Sequence, residues 1–205
     1  MAFTMRVATK ADAAALTEVY LDSFTDEIFS RQVYPRDAKS SYTYWFNAMS
    51  EELDEPDATF LVVTEPAEGD KPEYIVGFLK WASPDAPVHD GDDEQDVYPK
   101  EGLPETAVEF YTKVAAHHRK LLGTTRHWYL DMMGVRRAYT GKGGAKQMVE
   151  WGLEKAKQDG VPCFTEATGQ AKTFYERFEF KTVDFMSIET PQGPAEIYYM
   201  IREVE

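Results

Sequence analysis

At 205 residues and 43% hydrophobic content, the chain has the size of one domain spanning 1–205, large enough to bury a sizeable core. Its net charge of −14 disfavours nucleic acid and anionic membrane surfaces as partners and favours cations, protonated amines among them. No apolar run approaches the ~18 residues that a bilayer span needs, no apolar h-region follows Met-Ala-Phe-Thr-Met-Arg, and the one cysteine, Cys163, excludes an internal disulfide framework, so a cytoplasmic protein is expected.

In chain order, Phe3 to Ala8 predicts a first strand. Ala15, Leu16, Val19, Tyr20 and Phe24 recur at helical spacing and predict a helix from about Lys10 to Phe24. Pro35-Arg36-Asp37 opens a second, running through Leu53 with Tyr42, Trp45, Phe46 and Met49. Two β-rich runs, 59–64 and 74–81, flank a Pro-, Gly- and charge-rich stretch and predict a hairpin. Residues 82–105 read as a loop insertion, because Asp85, Asp90, Asp92, Asp93, Glu94, Asp96, Glu101 and Glu105 are interleaved with proline and glycine. The insertion is either a solvated acidic loop or a device that steers a cationic acceptor. A helix over 106–122, a strand over 127–135, a helix over 143–159 closed by Gly160, a strand over 162–167 and a short helix over 171–178 follow. Strands 182–189 and 196–202 close the chain. Cys163, within Val161-Pro162-Cys163-Phe164, reads as an inert core thiol. The order predicts a mixed α/β sheet with helices on both faces.

The run from Val135 to Ala145 joins a strand to a helix through Gly141, Gly143 and Gly144. Such a turn aims several backbone N–H groups at one point, and the helix N-terminus adds partial positive charge, so it is suited to phosphate. It is no Walker A loop, since Arg136 stands where the first glycine is needed and Gly143 follows Lys142. Nor is it a dinucleotide fingerprint, because Lys146 holds the position that needs a small residue.

The stretch resembles the signature of the GNAT superfamily of acetyl-CoA-dependent N-acetyltransferases. Val135, Tyr139, Gly141, Lys142, Gly143 and Ala145 stand at matching positions, while Thr140 replaces a Gln or Arg and Arg137 a Pro. A second segment, Thr168 to Phe180, is similar to that superfamily's later motif through Ala171, Tyr175 and Phe180, with Thr168 in place of Asn and Glu179 in place of Gly. The likeness covers about 127–185 and is similar to fungal members.

The resemblance implies a GNAT-like central sheet, mixed and mostly antiparallel, splayed at its centre between strands 127–135 and 162–167. It implies acetyl-CoA as co-substrate, its pyrophosphate on Thr140, Gly141, Lys142, Gly143, Gly144 and Ala145, with Lys142 and Arg136 or Arg137 supplying charge. It also implies main-chain contacts from Met133 and Val135, a further contact at Thr168, and Tyr175 as the acid beside the sulfur. As a flanked aromatic, Tyr175 also reads as core. Gly134 would permit a bulge that frees an amide for the developing oxyanion.

Acetyl transfer requires that an ammonium near pKa ~10 lose a proton. Strand alternation puts Tyr129, Asp131, Met133 and Val135 on one face and Trp128, Leu130 and Met132 on the other. Asp131 and Tyr129 stand where the resemblance implies the base. A carboxylate in so apolar a strand must be paired or have a raised pKa, which suits a structural role as well as a proton-accepting one. Glu166 is a third candidate. His89, His117, His118 and His127 show no metal-ligand spacing, so no metal is expected.

The expected function is direct transfer of acetyl from acetyl-CoA to a primary amine of a small molecule. Phe24, Phe29, Tyr34, Tyr42, Tyr44, Trp45 and Phe46 are candidates to line its pocket. The alternatives are a non-catalytic acyl-CoA-binding module and an acetyltransferase of lysine or N-terminal amines in proteins or peptides.

Overall fold

The computed structural model describes residues 3–65, 73–87 and 97–204. Its strands are β1 (Thr4–Val7), β2 (Ala58–Glu65), β3 (Tyr74–Ala82), β4 (Trp128–Val135), β5 (Cys163–Thr168), β6 (Lys181–Ile188) and β7 (Ala195–Arg202). The helices are α1 (Ala13–Ser23), α2 (Ser30–Val33), α3 (Lys39–Glu52), α4 (Pro104–Leu122), α5 (Gly144–Asp159) and α6 (Gly169–Glu176). The seven strands form one sheet in the order β1-β2-β3-β4-β5-β7-β6. Every neighbouring pair is antiparallel except β4 and β5. No helix among the described residues is long and apolar enough to cross a membrane.

Two hydrophobic clusters sandwich the sheet. On one face Leu16, Val19, Val33, Trp45, Met49 and Phe110, from α1 to α4, pack on Phe60, Phe78 and Phe164. On the other, Met148, Val149, Ala156 and Tyr175, from α5 and α6, pack on Leu79, Trp81, Leu130 and Cys163. The strands alternate between the clusters because successive side chains leave a strand on opposite faces. Cys163 is buried, as its apolar run predicts, and burial pushes its thiol up to about 12.

The second helix begins later than predicted. Pro35 to Ala38 form a turn, α3 starts at Lys39, and the short α2 precedes them. Proline disfavours the helical conformation in the residue before it. The Arg36 guanidinium then holds the connection by donating to the carbonyls of Leu21 at 2.9 Å, Phe24 at 2.7 Å, Ser30 at 3.3 Å and Tyr34. The acidic insertion is shorter than predicted at its C-terminal side, because α4 already starts at Pro104, where a proline at the first position costs no hydrogen bond. His89, Asp90, Asp92, Asp93, Glu94 and Asp96 lie outside the described residues.

Candidate active site

β4 and β5 pair over only three positions, Trp128↔Cys163, Tyr129↔Phe164 and Leu130↔Thr165, and then diverge. A cavity of about 1630 Å³ occupies the divergence and passes from the start of α5 to the aromatic side chains of α1, α3 and α4. Of the main-chain candidates, Met133 and Val135 line it, whereas Gly134 does not appear on its wall.

Gly134 does not form the predicted bulge. It pairs in register with Phe78, whose Cε1 would stand 2.9 Å from an added Cβ, so its missing side chain makes room for that ring. The bulge lies at Asp131, where the register steps from Trp81↔Leu130 to Lys80↔Met132. One inserted residue reverses the alternation beyond it. Tyr129 and Met132 therefore pack with the first cluster, while Trp128, Leu130 and Met133 pack with the second. Met133 is thus on the face opposite to the one predicted. Arg136 N–H donates to Val76 O on β3 at 2.8 Å, so the Val135 amide points away from β3, where it donates to Ser23 Oγ at 3.1 Å. Strand alternation turns the Met133 amide the same way.

At the α5 end of the cavity, Gly141 (φ 79) and Gly143 (φ 93) are left-handed, and a Cβ on either would meet nothing within 4 Å. This open turn, which glycine adopts without strain, directs the first amides of a 16-residue helix outward. Gly144 packs closely on β2, with Val63 Cγ2 3.1 Å from an added Cβ. Thr140, Gly141, Gly143, Gly144 and Ala145 line the cavity, and the Lys142 ammonium lies 4.7 Å above the Tyr139 ring. The two arginines are engaged elsewhere. Arg136 pairs with Glu18 at 2.9 Å and covers the Tyr74 ring, and Arg137 pairs with Asp22 and Asp26. The predicted arginine contribution to phosphate charge is therefore corrected: Glu18 and Asp22 on α1, and Asp26 in the turn after it, capture both.

Thr168 lines the cavity and also caps α6, accepting from the Ala171 amide at 3.3 Å. Tyr175 is buried in the second cluster beside Phe174 and Phe180. Thr165, beside it, donates its own hydroxyl to Leu130 O at 2.9 Å. Burial raises the Tyr175 pKa, so it holds its proton at rest.

Glu166 lies on the opposite face of the sheet. Its side chain is largely buried at the cavity wall, and burial first, with the neighbouring Asp131 charge adding to it, pushes its carboxyl up to about 8 despite the Tyr129 hydrogen bond. The Tyr129 hydroxyl donates to Oε2, and His118 Nδ1 stands 3.5 Å from Oε1. His118 Nε2 faces His127 Nε2 at 2.9 Å, and His127 Nδ1 faces Thr125 O at 2.7 Å. Burial, with the adjacent His127, pulls His118 down to about 4. Asp131 is ion-paired with Lys80 at 2.9 Å, and Lys80 also reaches Glu52 at 2.9 Å and Glu55 at 3.3 Å. Burial opposes the Lys80 charge, but Asp131 and Glu52 outweigh it and raise its pKa. Glu52 itself is pushed up to about 7 by burial.

Of the predicted aromatic residues, Phe24, Phe29, Tyr44 and Trp45 line the cavity, together with Tyr20, Tyr98, Phe110 and Tyr111. Tyr34 is buried without lining it, and Tyr42 and Phe46 are exposed. His118 and His127 were not singled out for this site by the sequence. The signals were present: His127 shares the period-two face of Tyr129, and His118 continues the buried stripe of Phe110 and Ala115. Among the described residues no group of three His, Cys, Asp or Glu side chains could hold a metal ion.

A family model described as acetyltransferase (GNAT) family matches residues 13–180. Solved structures share the fold over the whole chain. A Corynebacterium glutamicum protein described as histone acetyltransferase HPA2 and related acetyltransferase aligns at TM-score 0.64 and 20% identity, covering 100% of this chain and 98% of the other. Arabidopsis thaliana NAA60 in complex with a bisubstrate analogue aligns at 0.62 and 12%, covering 100% and 99%. The acetyltransferase yncA from Salmonella typhimurium, described as putative and solved with acetyl-CoA, aligns at 0.57 and 16%, covering 100% and 95%.

Proposed function

The chain belongs to the GNAT acetyltransferase family and is an acyltransferase, and on that premise we propose that it transfers acetyl from acetyl-CoA to the primary amine of a small molecule within one ternary complex. The observation that carries this reading is the placement of Tyr175 and Glu166. They approach the β4–β5 divergence from opposite faces of the sheet, a proton donor on one side and a proton acceptor on the other.

The Salmonella relative with acetyl-CoA supports that donor, and the residues present fit it. The open amides from Gly141 to Ala145 and the Lys142 ammonium would hold its pyrophosphate, with Thr140 and Thr168 beside them. The Met133 and Val135 main chains would flank its arm. Acetyl-CoA supplies the acyl group as an activated thioester. Tyr175 donates a proton to the departing sulfur. Glu166, held by Tyr129, accepts the proton that an ammonium must lose, and Asp131 with Lys80 fixes the charge beside it.

The aromatic walls favour a hydrophobic or aromatic amine over an extended peptide, and Glu51, Glu55 and Asp57 on the cavity lining attract its positive charge. A single cysteine, buried and inert, fits a reducing, cytoplasmic setting.

The test is acetyl-CoA-dependent thiol release over a panel of arylalkylamines, polyamines and basic peptides, with Tyr175→Phe alongside. Turnover of small hydrophobic amines that falls about 10²-fold in the variant is expected. Preference for a peptide would overturn the small-molecule reading. Acetyl-CoA binding without turnover on any amine would make the chain a binding module.

A further inference from the structure

We propose that Gln32 is a positioning residue that latches the turn between β6 and β7 onto α2, bridges the acceptor end of the cavity, and so restricts the acceptor to a free small amine. The inference rests on the reading of the chain as an acetyltransferase of small amines and names the part of the fold that refuses a peptide.

Two walls of the cavity meet at this place. Phe24, Glu27, Phe29 and Ser30 supply one, around the connection of α1 to α2, and Ala195, Glu196 and Ile197 supply the other, from the start of β7. Each is bonded within itself. The Glu27 carboxylate accepts from the Phe29 amide at 3.2 Å and the Ser30 amide at 2.6 Å, and Phe29 stacks on Phe110 with centroids 3.9 Å apart. Ahead of β7, Thr190 and Gly193 exchange backbone hydrogen bonds of 3.2 and 3.0 Å around Pro191-Gln192, and the Thr190 hydroxyl donates to Gly193 O at 2.5 Å.

Gln32 joins the two walls from behind. It is buried and stands 158 residues from Thr190 in the chain. Its Nε2 donates to Ile28 O at 2.5 Å and to Thr190 Oγ1 at 2.7 Å, and its Oε1 accepts from the Gln192 amide at 3.2 Å. The partners fix which way the side-chain amide faces, because Ile28 O can only accept and the Gln192 N–H can only donate. Both donors and the acceptor are in use. A glutamate here would set an acceptor against Ile28 O, and an asparagine falls one methylene short.

The consequence is steric. A lysine in a peptide is followed by chain in two directions, so it needs an open groove between the walls. Here the walls are bonded to each other, and the turn sits close on α2: an added Cβ on Gly193 would stand 3.3 Å from Ile28 Cδ1. The cavity still opens past the exposed Glu51, Glu55 and Pro56, which admits a free amine. A polypeptide crossing the acceptor end has to break the bridge. Selectivity then comes from what the site refuses as well as from what its aromatic walls hold.

Gln32→Glu tests the latch, with Thr190→Val as a milder change at the half-buried partner. Both are expected to raise KM for a small hydrophobic amine about 10-fold and leave KM for acetyl-CoA unchanged. The ratio of kcat/KM for a basic peptide to that for the small amine should rise about 10-fold or more. Amide hydrogen exchange without substrate is expected to show the Gln192 amide protected in the wild type and fast in both variants. Folded variants with wild-type amine KM and selectivity, an equal rise in both KM values, or an unprotected Gln192 amide in the wild type would overturn the latch. Should Gln32→Glu not fold, Thr190→Val decides. Wild-type preference for a peptide, or no wild-type turnover on any amine, would instead remove the small-amine reading, and the exchange of the Gln192 amide then decides the latch by itself.

Discussion

An added Cβ on Gly152 would stand 2.0 Å from Cε2 of Trp81. The indole cannot retreat: it is fully buried on β3, and its Nε1 donates to Met148 O in the same helix at 3.1 Å. Gly152→Ala gains about 1 kcal/mol of helix propensity and loses about 1–3 kcal/mol through overpacking, and displacing α5 costs its other contacts too. A lowered urea midpoint is expected. An unchanged or raised midpoint would mean that α5 slides off Trp81 freely.

Glu166 makes stability fall with pH. Its folded pKa of about 8 lies above the ordinary carboxylate value of 4.5, so between those values the folded state holds a proton that the unfolded state has lost. Stability from this group is complete at the lower limit and declines as pH rises through the upper one. Glu166→Gln removes the titration. The variant should gain stability relative to wild type between about pH 5 and about pH 8. Denaturation of both proteins across that range checks it, and parallel curves would contradict the assignment.

How much of this was legible beforehand depends on range. Strands and helices are set by residues a few places apart, and the periodicities located nearly all of them, including the glycine that closes α5 at Gly160 with φ 66. The bulge was not legible, because a single inserted residue at Asp131 leaves a run of apolar side chains that reads as an unbroken strand. The arginines misled because their partners, Glu18, Asp22 and Asp26, are more than a hundred residues away, although their four-residue spacing was in view. His118 and His127 meet only because α4 lies across the start of β4.

Gly143→Ala separates backbone conformation from crowding. Its φ of 93 disfavours any side chain, yet an added Cβ meets nothing. Relief of about 1–2 kcal/mol of strain should rotate the turn and misdirect its amides. Acetyl-CoA affinity is expected to fall about 10-fold, the equivalent of ~1.4 kcal/mol, with a small change in melting temperature. Titration calorimetry measures the first, and unchanged affinity would remove the turn from the binding site.

Glu179 is the one described non-glycine residue with positive φ, at 66. It closes α6 in a left-handed cap: the Phe180 amide donates to Tyr175 O at 3.4 Å, and the two rings pack 5.8 Å apart. Glu179→Gly relieves a left-handed strain of about 1–2 kcal/mol and loses about 0.5–1 kcal/mol to glycine's greater freedom when unfolded. A small net stabilisation should appear as a raised melting temperature. A lowered one would show that the Glu179–Arg202 contact at 3.5 Å outweighs the strain.

The three-residue join between β4 and β5 has a consequence for assembly. β1 to β4 are adjacent in both chain order and space, and β5 to β7 come from the last quarter of the sequence. Each half can find its own partners without the other, and the junction offers few rungs to reward an early meeting. Tyr129 belongs to the first half and Glu166 to the second. Their contact should therefore be among the last to form during folding and among the first to open during local fluctuation, so the chain becomes an enzyme only once it has finished becoming a protein.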